Sequence, residues 1–272
     1  MIVVTGATGN VGQPLTRALV EAGEEVTAVS RRPVDVPAGV RHVQADLSEP
    51  ESLEPALDGA VALFVLTSSD FMTNGDLGDV MAAVRAAGVR RVVLLSSQGV
   101  GSGRHPAVLE DAVTQSGLDW TMLRPGNFDS NTFQWAGSVR ARRVVAAPFG
   151  DVALPAVDPA DIAEVATLAL REPGHNGAIY TLTGPEPISP RQQVAAIADA
   201  LGEPVRFMEQ TRAEARARML DHMPEPVVEA TLAILGEPSA AEQRVSPDVE
   251  RLLGRAPHTF AEWASRNVAA FT

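Results

Sequence analysis

The chain contains neither cysteine nor lysine. The first absence excludes disulfides, cysteine metal ligands and thiol nucleophiles together. The second removes every mechanism that needs a lysine base or a Schiff base, and it makes all 22 basic residues arginine. Aromatic residues amount to 4%, with Tyr180 the single tyrosine. A core must then rest on Val, Leu and Ala, as in parallel sheets covered by helices. No apolar run approaches the ~18 residues that span a bilayer. No basic, cleavable leader stands ahead of the first apolar segment at Ile2, so the cytoplasm is the expected location. Positive charge is also in short supply, the net value being −12. That sign repels phosphate backbones and anionic lipid, and neither nucleic acid nor a membrane is expected as a partner.

What is present fits an α/β chain. Hydrophobic residues make up 45% of 272, enough for one large core with a smaller lobe. The first half alternates strand-like and helix-like segments. Apolar runs at 2–5, 26–30, 41–45, 61–66, 92–96 and 119–123 read as strands. Between them Val11, Leu15, Leu19 and Ala22 form one helical stripe, and Leu77, Val80, Met81 and Val84 another. Ser48 and Glu51 have capping-box spacing for a short helix. Pro106 suits the first position of a helix whose inner face carries Leu109, Ala112 and Val113. This order implies a Rossmann-type, doubly wound parallel sheet with helices on both faces. Beyond Gly126 the pattern loosens, then recovers. Asp158 and Pro159 open a helix, 178–182 reads as a strand, and capping boxes at Ser189/Gln192 and Thr259/Glu262 start two more helices. The remainder is mostly helical.

Gly6, Gly9 and Gly12 lie between the first strand and the first helix. In that setting the first glycine permits a tight turn, the second lets a diphosphate approach the backbone, and the third permits close helix packing. The main-chain N–H groups of the segment, Thr8, Asn10 and Val11 included, then face an anion at the helix start. The second strand decides which dinucleotide. An NAD-selective site places a carboxylate at its end, whereas this chain has Ser30, Arg31 and Arg32. A guanidinium there suits a 2′-phosphate, so the expected cofactor is NADP(H). Asp46, followed by Leu47, can accept a hydrogen bond from the adenine amino group or cap the turn before Ser48, and both readings stand.

Several segments together are familiar. They are TGATGNVG at 5–12, SRRP at 30–33, LLSS at 94–97, SGLDWTMLRPG at 116–126, DPADIA at 158–163, YTLTG at 180–184 and LGRAPHTF at 253–260. Over nearly its whole length the chain resembles the NmrA-like atypical short-chain dehydrogenase/reductases, especially the bacterial branch similar to NAD(P)H:quinone oxidoreductase type 2. The resemblance implies a Rossmann core over 1–126, with 142–182 returning to it, and a smaller, mainly helical substrate-binding lobe over 127–141 and 183–272. It implies the nicotinamide in the cleft between them, with Thr67 and Ser68 along the cofactor. Ser96, Ser97 and Gln98 would lie near the nicotinamide, and Pro125, Gly126, Asn127 and Phe128 at that end of the pocket.

The resemblance also implies an activity, NADPH-dependent reduction of a quinone or other conjugated carbonyl compound. The Tyr-Lys pair of conventional short-chain dehydrogenases is missing. A quinone, however, takes hydride readily, and the protein mainly positions the reactants. Two alternatives stand beside this one: a non-catalytic NADP-binding regulatory protein of the NmrA type, and a biosynthetic tailoring reductase. His105, placed as the N-cap ahead of Pro106, is the candidate proton donor with Ser97, or else a solvent-facing loop histidine. Glu110 either orients His105 or sits on the helix surface. Phe71, Phe128, Phe133, Trp135 and Phe149 offer an apolar pocket for a flat ring, or ordinary packing. His42, His175, His222 and His258 show no metal-ligand spacing, so no metal is expected. The arginines at 140–143 and at 212–218 read as solvated faces. The expected partner is a small apolar carbonyl or quinone substrate, with a homodimer allowed as the assembly.

Overall fold

The computed structural model describes residues 1–272, the side chain of Ser69 excepted. Its main sheet comprises β1 (Ile2–Thr5), β2 (Val26–Ser30), β3 (Arg41–Gln44), β4 (Ala62–Val65), β5 (Arg91–Leu95), β6 (Asp119–Pro125) and, beyond a further strand β7 (Val144–Pro148) that lies elsewhere, β8 (Ala178–Leu182). The spatial order is β3-β2-β1-β4-β5-β6-β8, and β1 to β6 pair in parallel. β1, β2 and β4 are buried on both faces, which explains why they read as unbroken apolar runs rather than alternating ones. β3 closes the sheet as a half-exposed edge. Order reverses beside β1, so the turn that follows β1 lies at the switch point where open α/β sheets bind ligands.

Two compact units divide the chain. The first holds residues 1–100, 105–125 and 159–181. One face of its sheet packs Val3, Leu63, Val65, Val92 and Leu94 against Leu57, Val80, Met81, Val84 and Val113 from the covering helices. Helices Gly12–Glu21 and Pro159–Arg171 pack together against the sheet as well.

The second unit holds residues 101–104, 126–158 and 182–272. β7 pairs in parallel with β9 (Arg206–Gln210) in a small sheet of their own. The segment 142–158, expected to return to the first unit, therefore belongs to the second, because its strand finds its partner there. Around this pair lie helices Ala136–Arg142, Pro190–Leu201, Arg212–Leu220, Glu225–Gly236, Asp248–Leu253 and Phe260–Arg266. Their core gathers Trp135, Val139, Val145, Val194, Ile197, Phe260 and Trp263. Phe133 joins it through Trp263, with ring centroids 5.0 Å apart. No described helix is long and apolar enough to cross a membrane.

Candidate functional site

The glycine turn after β1 is built by main-chain demands. Gly6 has φ of 62°, a left-handed conformation that side chains resist. A Cβ on Gly12 would stand 2.1 Å from the Gly6 carbonyl oxygen, so the helix start and the turn touch only because Gly12 is bare. Gly9 differs. A Cβ there would meet nothing but the same oxygen at 3.3 Å, and packing within the chain alone does not demand a glycine. Close approach by a ligand would. Helix Gly12–Glu21 begins with no side-chain cap and no acid in its first turn. Its positive end is left for an anion.

Beside this turn a cavity of about 190 Å³ is lined by Gly6, Thr8, Gly9, Ser30, Arg31, Ala45, Asp46, Leu47, Leu66 and Ser68. The turn after β2 is fixed from below. The Ser30 hydroxyl donates to the Arg32 carbonyl at 2.7 Å and lies 2.8 Å from His42 Nε2. The Gln44 amide donates to the Arg31 carbonyl. Arg31 itself reaches across and donates to the Asp70 carboxylate at 2.6 Å. That bond, with the charges of Asp70 and Asp46, raises the guanidinium above its ordinary pKa against the opposing effect of burial. Asp46 accepts the Ser48 N–H at 2.9 Å, so it caps the turn and also lines the cavity. The short helical stretch expected from Ser48 starts instead at Pro50, from an uncapped Glu49. Ser68 caps helix Ser69–Asn74 by accepting the Phe71 N–H, and the Thr67 hydroxyl faces the Met72 sulfur at 3.7 Å.

The carboxyl end of β5 carries a second cluster. Ser97 Oγ accepts the Gly99 N–H at 3.0 Å and lies 3.2 Å from His105 Nδ1, while the His105 N–H donates to the Gly99 carbonyl. The imidazole lies so close over Gly99 that a Cβ there would sit 2.4 Å from the ring. His105 is therefore a half-buried partner of Ser97 rather than a helix cap. The following helix runs Val108–Thr114 from an uncapped Ala107, later than Pro106 suggests.

Glu110 is neither exposed nor beside His105. It is 6% exposed and takes both prongs of the Arg124 guanidinium, along with the Ser96 hydroxyl. Burial pushes its carboxyl up, but the bonds from Arg124 and Ser96 and the Arg124 charge outweigh that effect, leaving it below the usual carboxylate range. The Ser96 hydroxyl proton is consequently committed to this network. One signal for Glu110 was visible: an arginine within the apolar run of β6 requires a carboxylate nearby.

In the second unit a cavity of about 460 Å³ is lined by Asn127, Asn131, Trp135, Leu154, Ile188, Gln193, Arg218, Met219, Met223 and Leu235, among others. Of the expected pocket residues it contains Asn127 and Trp135. Phe71 lies in the core of the first unit, 1% exposed, and Phe149 packs on the cluster of Ala215, Val228 and Leu232. Phe128 bridges its backbone to Val157, and Gln98 opens the short helix Gln98–Gly101. Pro125 ends β6 in the first unit, and the Gly126 N–H donates to the Leu182 carbonyl. The methionines and Arg218 were missed, because nothing in the spacing of helix 212–220 marks which face meets a cavity. Among the described residues no three His, Cys, Asp or Glu side chains are grouped to hold a metal ion.

Comparison with known proteins gives the family and agrees with the fold. A family model described as NAD(P)H-binding matches residues 6–173. A Streptomyces griseus protein, (4-alkanoyl-5-oxo-2,5-dihydrofuran-3-yl)methyl phosphate reductase, is 39% identical over all of this chain and 99% of its own length. The NAD(P)H azoreductase of Xenophilus azovorans is 33% identical, with 100% and 99% covered. Among solved structures, the NADPH-dependent quinone oxidoreductase of Escherichia coli, complexed with NADPH, superposes with a TM-score of 0.81 at 25% identity, covering 98% of this chain and 99% of that one.

Proposed function

This chain belongs to the NAD(P)H-binding family, and from that premise we propose that it is an NADPH-dependent reductase passing hydride to a quinone or another conjugated carbonyl compound. The observation that carries the reading is the cavity beside the glycine turn, where Arg31 stands at the end of β2 in place of a carboxylate. Bare turn residues and an uncapped helix start fit a diphosphate. The Arg31 guanidinium fits a 2′-phosphate with charge-assisted bonds. NADPH, when bound, supplies the hydride.

The chain's own residues then hold, orient and protonate. Backbone N–H groups from Asn10 to Gly12 grip the diphosphate, while the Gly9 N–H closes the turn on the Gly6 carbonyl, and Arg31 selects NADP over NAD. Leu47 and Leu66 line the apolar wall of the same cavity. The Ser97 hydroxyl and His105 imidazole deliver the proton that a reduced carbonyl oxygen takes up. The apolar cavity of the second unit holds the acceptor. The relatives named above are reductases of an alkanoyl-oxo-dihydrofuranylmethyl phosphate, of azo compounds and of quinones, which supports an electron-poor conjugated acceptor.

The test is NADPH oxidation by the purified protein against a panel of quinones, enones and unsaturated lactones. Turnover with at least one class, and faster with NADPH than NADH, is expected. Tight NADP binding with no turnover across the panel would overturn the reductase reading in favour of a dinucleotide-responsive regulator.

A further inference from the structure

Three arginines on helix Arg212–Leu220 meet different fates. Arg212 pairs with Glu229 at 3.2 Å, and Arg216 pairs with Glu225 and Glu229. Arg218 donates only to the Ala146 carbonyl, at 3.2 Å. Among the described residues it has no carboxylate partner, although acidic side chains outnumber basic ones by 34 to 22 in the whole chain. This uncompensated cation lines the 460 Å³ cavity and is the one charged side chain that does so.

The rest of the lining defines what else can enter. Val152, Leu154, Ile188, Met219, Met223 and Leu235 supply aliphatic and thioether surface, and Trp135 is the single aromatic residue. Stacking walls for a flat ring are therefore scarce. Methionine, with its rotatable, polarisable side chain, moulds itself to irregular and flexible guests. The volume lies within the usual range of small-molecule sites, roughly 300–1,000 Å³.

We propose that this cavity binds an amphiphile, an unbranched alkyl chain inside and an anionic headgroup, phosphate or carboxylate, on Arg218. The assignment rests on the reading of the cavity as the acceptor site and narrows the acceptor to one bearing such a chain and such a group. Phosphate and carboxylate both match a guanidinium that has spare donors, and the headgroup arms of the experiment separate them.

The experiment is calorimetric titration of the full chain, saturated with NADP+, with butyl phosphate, octyl phosphate, octanoate and octanol. Each buried methylene adds roughly 0.8 kcal/mol, about fourfold in affinity. Octyl phosphate is therefore expected to bind at least tenfold more tightly than butyl phosphate. Arg218→Gln is expected to weaken the preferred anion at least tenfold while leaving octanol within twofold. Arg218 is exposed, so the variant should fold. No binding of any octyl compound, equal affinity for butyl and octyl phosphate, or an unchanged anion in the variant would each overturn the proposal. NADPH oxidation with a quinone, run on the same preparation, keeps the two readings apart. Turnover without alkyl binding sinks the amphiphile alone, and alkyl binding without turnover on any acceptor sinks the reductase alone.

Discussion

At the proposed cofactor site, Asp70 competes with an incoming 2′-phosphate for the Arg31 guanidinium. The Arg31 and Asp70 side chains are 53% and 74% exposed. An exposed pair of this kind contributes about 0.2–1 kcal/mol, so Asp70 costs an incoming 2′-phosphate up to about fivefold in affinity. Asp70→Asn is accordingly expected to tighten NADP+ severalfold and to leave NAD+ within twofold, read by calorimetry. A weaker NADP+ complex would mean that Asp70 instead aims the guanidinium. Deeper in the first unit, Glu110 holds Arg124 and Ser96 together. Its folded pKa is depressed, so its contribution to stability is complete above the unfolded value of about 4.3. That contribution is lost as pH falls through the folded value. Glu110→Gln is expected to cost roughly 3 kcal/mol at neutral pH, since it leaves the Arg124 charge without its counterpart. The variant's thermal midpoint should also fall less than the parent's on acidification below about pH 4.5. Parallel pH curves for the two proteins would dispose of that role.

At the level of elements, what could be read in advance was what local chemistry dictates. Ser189 accepts the Gln192 N–H and Gln192 returns the bond, and Thr259 and Glu262 do the same. Ser189→Ala should thus cost about 1 kcal/mol, seen as a lower denaturant midpoint at unchanged slope. The identical spacing at Ser48 and Glu51 produced no box: the helical stretch starts at Pro50 with Glu49 at its N-cap, and Asp46 takes the Ser48 N–H that Glu51 would have needed. A box at Thr211 and Glu214 formed but was not read. β7 and β9 escaped for a different reason: β9 is mostly exposed and carries no apolar run, and β7 pairs only with it, at Val144↔Arg206. No local pattern encodes such a pairing. The 97–105 loop was half legible, Ser97 and His105 being singled out without their link through Gly99. Gly99→Ala would drive the imidazole off Ser97. Under the proposed proton delivery it should lower kcat at least tenfold and leave NADP+ affinity within twofold.

For the molecule as a whole, periodicity and the glycine turn were enough to anticipate a doubly wound sheet, and the motifs at 5–12, 30–33 and 116–126 were enough to place the family. The buried strands β1, β2 and β4 read plainly because burial on both faces leaves an unbroken apolar run. The cavity of the second unit read only at Asn127 and Trp135, since it is assembled from residues between Asn127 and Leu235 that only folding brings together. The central claim concerns the first unit: bare turn residues and an uncapped helix grip a diphosphate, and Arg31 selects the phosphorylated ribose. Calorimetric titration of the purified chain with NADP+ and NAD+ at equal ionic strength tests it most directly. The account predicts NADP+ bound at least tenfold more tightly, with Arg31→Ala erasing the difference. Equal affinities in the parent protein, or no uptake of either dinucleotide, would contradict it.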